Sequence, residues 1–158
     1  MGDTRWLSPD ELDAWIPLAG LALFLPGYLD EALKPNGLTF FEYSTLSALS
    51  HADDRTLPMT SLAHLANGSL SRMSHTTRRL EQSSWLRRAA CPDDRRVTLV
   101  SLTEQGHRTL VDAAPVHVES VRRAVFDVLA PDQVPQLARI GRSVVESINP
   151  GGPPPRAR

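Results

Sequence analysis

Residues 69–83 read SLSRMSHTTRRLEQS, and their side chains sort by type when wound into a helix. Ser71, Arg72, His75, Arg78, Arg79 and Gln82 fall on one side, with Leu70, Met73, Thr77 and Leu80 opposite. The polar side carries hydroxyls, guanidinium forks and an imidazole, and no acid. Such groups donate to phosphate oxygens and to the O6 and N7 acceptors of purines in a duplex major groove. Ser69 occupies the N-cap position, where it and Ser71 can share a phosphate with the free N–H groups of the first turn. A second basic group follows in the loop Cys91-Pro92-Asp93-Asp94-Arg95-Arg96. Asp94 precedes Arg96 by two residues, so its carboxylate can hold the turn while Arg96, beside Arg95, projects. An arginine at such a tip suits a narrow, electronegative minor groove. The competing reading of both segments is a solvated charged surface. The absence of acids from the helix face and the presence of two basic features close together argue against it.

The elements around these residues form a pattern. Residues 60–66 read as a short helix, Asn67-Gly68 as a tight turn, and residues 69–83 as a second helix. Strand-like segments at 85–90 and 97–102 flank the charged loop. A helix-turn-helix followed by a β-wing places a helix in one groove and a loop in the next. Net charge is −1 overall, but residues 69–96 hold seven arginines against three acids. That is a local +4 on a remainder of −5, a basic face on an acidic body.

On either side lie long helices. Ser8-Pro9-Asp10-Glu11 combines an N-cap, a proline suited to the first helical position and a capping-box glutamate. Apolar residues continue to Leu33, with Pro17 and Pro26 expected to bend or break the helix and Lys34-Pro35-Asn36-Gly37 to stop it. Thr39 caps a helix over 40–50. Leu57-Pro58-Met59 is an extended lead-in. Thr103 caps a helix predicted to reach Leu129, kinked at Pro115, and Ala130-Pro131-Asp132 separates it from a last helix ending near Ile148. Broad apolar faces on terminal helices, outside a reading unit, predict a dimerisation layer. The fold class is therefore mainly α with a small β-wing. Residues 1–36 form an N-terminal dimerisation helix, 37–103 the winged helix-turn-helix, 104–149 C-terminal dimerisation helices, and 150–158 a disordered Pro/Gly tail.

Other function classes find little support. The longest apolar run, 16–25, is short of the ~20 residues of a membrane span, and a cytoplasmic protein is expected. There is no phosphate-cradling glycine loop, Gly-x-Ser-x-Gly or His-Glu-x-x-His, so no catalytic residue, cofactor or metal is assigned. The five histidines are scattered, and His107 and His117 are roughly 15 Å apart on one helix, as surface or capping residues. The single cysteine, Cys91, follows Arg87 and Arg88, whose charge can lower its pKa, which opens an alternative as a thiol sensor. A protein-binding winged helix is the other alternative, but it calls for an apolar recognition face. Trp15 and Tyr43 are candidates to line a small-molecule pocket between the first two helices and the long fifth one.

The motifs LAHLANGSLSRMSHTTRRLE (62–81), WLRR (85–88), DDRR (93–96) and VSLTEQGH (100–107) resemble the MarR family of bacterial winged-helix regulators. The resemblance runs from about Leu38 to His107 and covers the flanking helices by layout only. It implies a homodimer that reads a pseudopalindromic operator in double-stranded DNA, with Arg96 as the family's wing arginine. It implies that Arg72, Ser74 and His75 meet bases, and that a repressor is released by a small aromatic or phenolic effector. Where the family has Gly before the second strand, this chain has Ser84. In a left-handed conformation, serine costs roughly 1 kcal/mol more than glycine.

Overall fold

The computed structural model describes residues 4–149, so the predicted tail at 150–158 lies outside the described residues. The elements run α1 (Pro9–Leu33), α2 (Phe40–Ser50), β1 (Thr56–Pro58), α3 (Met59–Leu65), α4 (Leu70–Gln82), β2 (Leu86–Ala90), β3 (Thr98–Leu102), α5 (Glu104–Ala124) and α6 (Gln133–Ile148). The boundaries follow from local chemistry. Ser8 and Glu11 form a reciprocal capping box at α1, and Thr39 and Glu42 form another at α2. Ser69 accepts from the Arg72 N–H at 3.2 Å to start α4, and Thr103 accepts from the Gly106 N–H at 3.0 Å to start α5.

The sheet is antiparallel, in the order β1-β3-β2. Leu86 faces Leu102 and Ala90 faces Thr98 across the wing, while Thr56 pairs with Ser101 on the other edge of β3. The extended lead-in is thus a true edge strand, stitched further by the Thr56 hydroxyl donating to Ser101 Oγ at 2.8 Å. One core gathers Leu33, Leu38, Phe41, Leu46, Leu49, Leu62, Met73, Leu80, Leu86, Val100, Leu102 and Leu110. It lies in the winged unit and against the first half of α5.

Several expectations need correction. Pro17 and Pro26 do not break α1, which is continuous over 25 residues. Both prolines are exposed, as are Asp13 and Ala22 four residues earlier, so water can satisfy the carbonyls that each proline leaves free. The uninterrupted helix is consequently long and apolar enough, by length and composition, to cross a membrane, which the shorter run 16–25 concealed. Pro115 is likewise accommodated inside α5, but that helix stops at Ala124, and a 3-10 turn, Phe126–Val128, fills the predicted final turn. Leu70, expected on the packing face, is half exposed at the first position of α4, while Met73, Thr77 and Leu80 are buried as expected.

Candidate nucleic-acid interface

The turn before α4 divides its work between two residues. Asn67 adopts the left-handed conformation, φ 51°, which asparagine tolerates. Gly68 provides room: a Cβ there would run into the ring of Phe41 from α2. Gly106 has a similar role, because a Cβ on it would strike the Trp85 carbonyl where α5 crosses the base of the wing. Ser84 has φ 61°, so the substitution for glycine noted above does fall on a left-handed residue.

On α4, Ser69, Ser71, Arg72, His75, Arg78 and Arg79 are exposed, and Ser74 is half-buried with its carbonyl accepting from the Thr77 hydroxyl at 3.2 Å. The seven arginines of this region differ in their neighbours. The Arg72 guanidinium lies 3.9 Å above the centroid of the Phe41 ring. Arg79 is tied to α2: its Nε donates to the buried Glu42 carboxylate and its Nη2 to the Gly37 carbonyl at 3.3 Å. Arg88 is paired with Glu81, linking α4 to β2 at 2.8 Å and holding the Glu81 carboxyl below the ordinary carboxylate range. Among the described residues, Arg78, Arg87 and Arg95 make no ion pair.

At the wing, Cys91 donates its N–H to the Val97 carbonyl, and Val97 donates to the Asp94 carbonyl. Asp94 Oδ1 accepts from both the N–H and the Nε of Arg96, and Oδ2 accepts from Nη2, all at 3.0 Å. This fork holds the Asp94 carboxyl below its usual range and raises the Arg96 guanidinium further. The Arg96 side chain is still 90% exposed, so its remaining N–H groups are available to a ligand.

The two candidate pocket residues, Trp15 and Tyr43, have separate surroundings. Tyr43 packs against His117 of α5 with rings tilted by 35° and centroids 4.2 Å apart, and Phe40 stacks on the same imidazole at 5.8 Å. Trp15 is more than half exposed on α1. The nearby open groove is lined by His117, Val118, Val121, Arg122 and Phe126. His117, expected at the surface, is half-buried: its Nδ1 is enclosed without a hydrogen-bond partner among the described residues, and desolvation lowers its pKa from the ordinary 6.5. Desolvation also raises the Tyr43 phenol. The sequence reading missed Phe41, Glu42 and His117. Of these only Glu42 left a local trace, as the third residue after the Thr39 cap.

A MarR family model matches residues 38–98. The chain is 29% identical over 140 residues to the HTH-type transcriptional regulator MhqR of Bacillus subtilis, covering 85% of this chain and 94% of MhqR. Among solved structures, Sco3205, a MarR family transcriptional regulator from Streptomyces coelicolor in complex with DNA, superposes with a TM-score of 0.89 at 38% identity. That match covers 96% of this chain and 95% of Sco3205. AbsC, another MarR family transcriptional regulator of Streptomyces coelicolor, matches with a TM-score of 0.84 at 36% identity over 92% of this chain and 98% of AbsC.

Proposed function

The chain belongs to the MarR family of transcriptional regulators, and from that premise we propose a homodimeric repressor that binds a pseudopalindromic duplex operator and is released by a small aromatic or phenolic effector. The observation that carries the DNA reading is the pairing of an acid-free, exposed polar face on α4 with a wing whose Arg96 is oriented by Asp94 yet solvent-facing. The DNA-bound state of the relative Sco3205 supports the same partner. In this reading Ser69, Ser71, Arg78 and Arg95 neutralise or cap phosphates, Arg72, Ser74 and His75 face base edges, and Arg96 enters the minor groove. Asp94 orients Arg96, and Arg79 acts chiefly as a strut to α2.

Residues 37–103 are the reader, and the helices within 1–36 and 104–149 are the dimer layer. Two-fold symmetry then matches the symmetry of the operator. The effector would occupy the groove beside His117 and Tyr43, with Trp15 contributing only if the partner protomer reshapes that surface. The protein acts as a regulator and not a catalyst, in the cytoplasm where its DNA lies. A thiol-sensing role has no second cysteine in the sequence to resolve an oxidised Cys91.

The test is titration of wild type and Arg96→Ala against operator and scrambled duplexes at two salt concentrations. Loss of a contact in both half-sites is expected to weaken operator binding on the order of a hundredfold. Wild-type affinity should fall steeply with salt. Unchanged binding by Arg96→Ala overturns the role of the wing.

A further inference from the structure

Two neighbouring features converge on one side chain of α2, and a third lies on the residue beside it. Phe41 is buried, 7% exposed, and its ring edge rests against Gly68 at the turn of the helix-turn-helix. The face of the same ring carries the guanidinium of Arg72, 3.9 Å from the centroid. The next residue, Glu42, holds Arg79 two turns further along α4. The recognition helix is thus gripped from α2 near both of its ends.

We infer that Phe41 is a positioning residue for base recognition: its ring pre-orients Arg72, and Gly68 is glycine so that this ring can reach the recognition helix. The inference rests on the assignment of Arg72 to base edges made above. An unrestrained arginine loses substantial rotamer freedom when it meets a base. Stacking on a fixed ring removes part of that freedom before DNA arrives. A guanidinium held over the ring still has N–H groups to spare for the O6 and N7 of a guanine, since it carries five donors. Phe41 suits the task because its own position is fixed by the core and by the missing Cβ of residue 68.

The experiment is a double-mutant cycle on the full-length protein, reading the ratio of operator to scrambled-duplex affinity. Phe41→Leu keeps an apolar side chain but removes the ring. Incorporation of 3,5-difluorophenylalanine at position 41 keeps the shape and weakens the negative ring face. Each is measured with Arg72 present and with Arg72→Ala. The expected result is a loss of discrimination of roughly threefold per half-site, or about tenfold for the symmetric site, with Arg72 present. In the Arg72→Ala background neither change should move the ratio by more than about twofold. Equal losses in both backgrounds, or a difluoro variant equal to wild type, overturn the positioning role and leave Arg72 as a base reader. If Arg72→Ala alone leaves the ratio unchanged, the base-reading assignment itself falls, and the inference with it.

Discussion

In the winged unit Leu62, Met73, Leu80 and Val100 are wholly buried, and α4 packs against α2, α3 and β2 with Met73, Thr77 and Leu80 covered. The helix α6 has Leu137, Ile140, Val144, Val145 and Ile148 along its length and buries no residue at all. Along α1, Trp6 and Leu7 just before it and Trp15, Ile16, Leu23 and Phe24 within it are about half exposed or more, and only Leu29 and Leu33 near its end are buried. One region closes its core within a single chain, and the other presents apolar surface that a single chain leaves uncovered. Covering a large aliphatic or aromatic side chain is worth about 1.5–3 kcal/mol, so so many exposed in register are a strong drive to association. The reader closes its own core, whereas the outer helices, in the homodimer proposed above, would complete theirs with a second copy.

The strongest way to break this comparison is to charge α6. The pair Ile140→Asp and Val144→Asp should convert a species of twice the chain mass into a monomer by sedimentation at micromolar concentration. Operator affinity should fall by a hundredfold or more, since the two readers then bind separately. A persistent dimer would mean that α6 is not in the interface. The next largest effect separates the two kinds of core. Leu80→Ala opens a cavity in the reader and should cost about 2–5 kcal/mol by chemical denaturation. For Ile140→Ala the loss should instead depend on protein concentration, because it acts through association.

Within the reader, Ser84→Gly should raise stability by about 1 kcal/mol, since φ 61° strains serine and not glycine. Duplex preference should not change. A loss of stability would show that the serine hydroxyl has a role beyond the backbone. The smallest effect lies at the seam between the regions, where His117 of α5 meets Phe40 and Tyr43 of α2. Its folded pKa lies below the ordinary 6.5 because burial disfavours the charged imidazole. As pH falls through 6.5 the unfolded chain takes up a proton that the folded chain resists, so stability declines from there downward. His117→Phe should make the fall in Tm between pH 7.5 and 5.5 shallower. An unchanged slope would assign it to other groups.

The reader was the more legible region, for a physical reason. Its elements are short and bounded by local chemistry: the Ser69 and Thr103 caps, the Asn67-Gly68 turn and the Asp94–Arg96 fork each act within a few residues. These gave strands and helices correct to about one residue. The outer helices were harder, because prolines that end a helix in isolation are tolerated where the freed carbonyls face solvent, as at Pro17 and Pro26. At the candidate site, residue types on one helix face could be read directly. Contacts across the chain could not: Phe41 under Arg72, Glu42 on Arg79 and Tyr43 on His117 span 31 to 74 residues of sequence and leave no local spacing signal.

In the proposed dimer, two self-contained readers act as a pair on one duplex, joined by helices that need each other. The direct measurement is footprinting on the DNA flanking the gene, together with the mass of the complex in solution. The predicted result is two protected half-sites related by a two-fold axis and about one helical turn apart, with two chains bound per site. A single asymmetric protected segment, bound at full affinity by one chain, would contradict it.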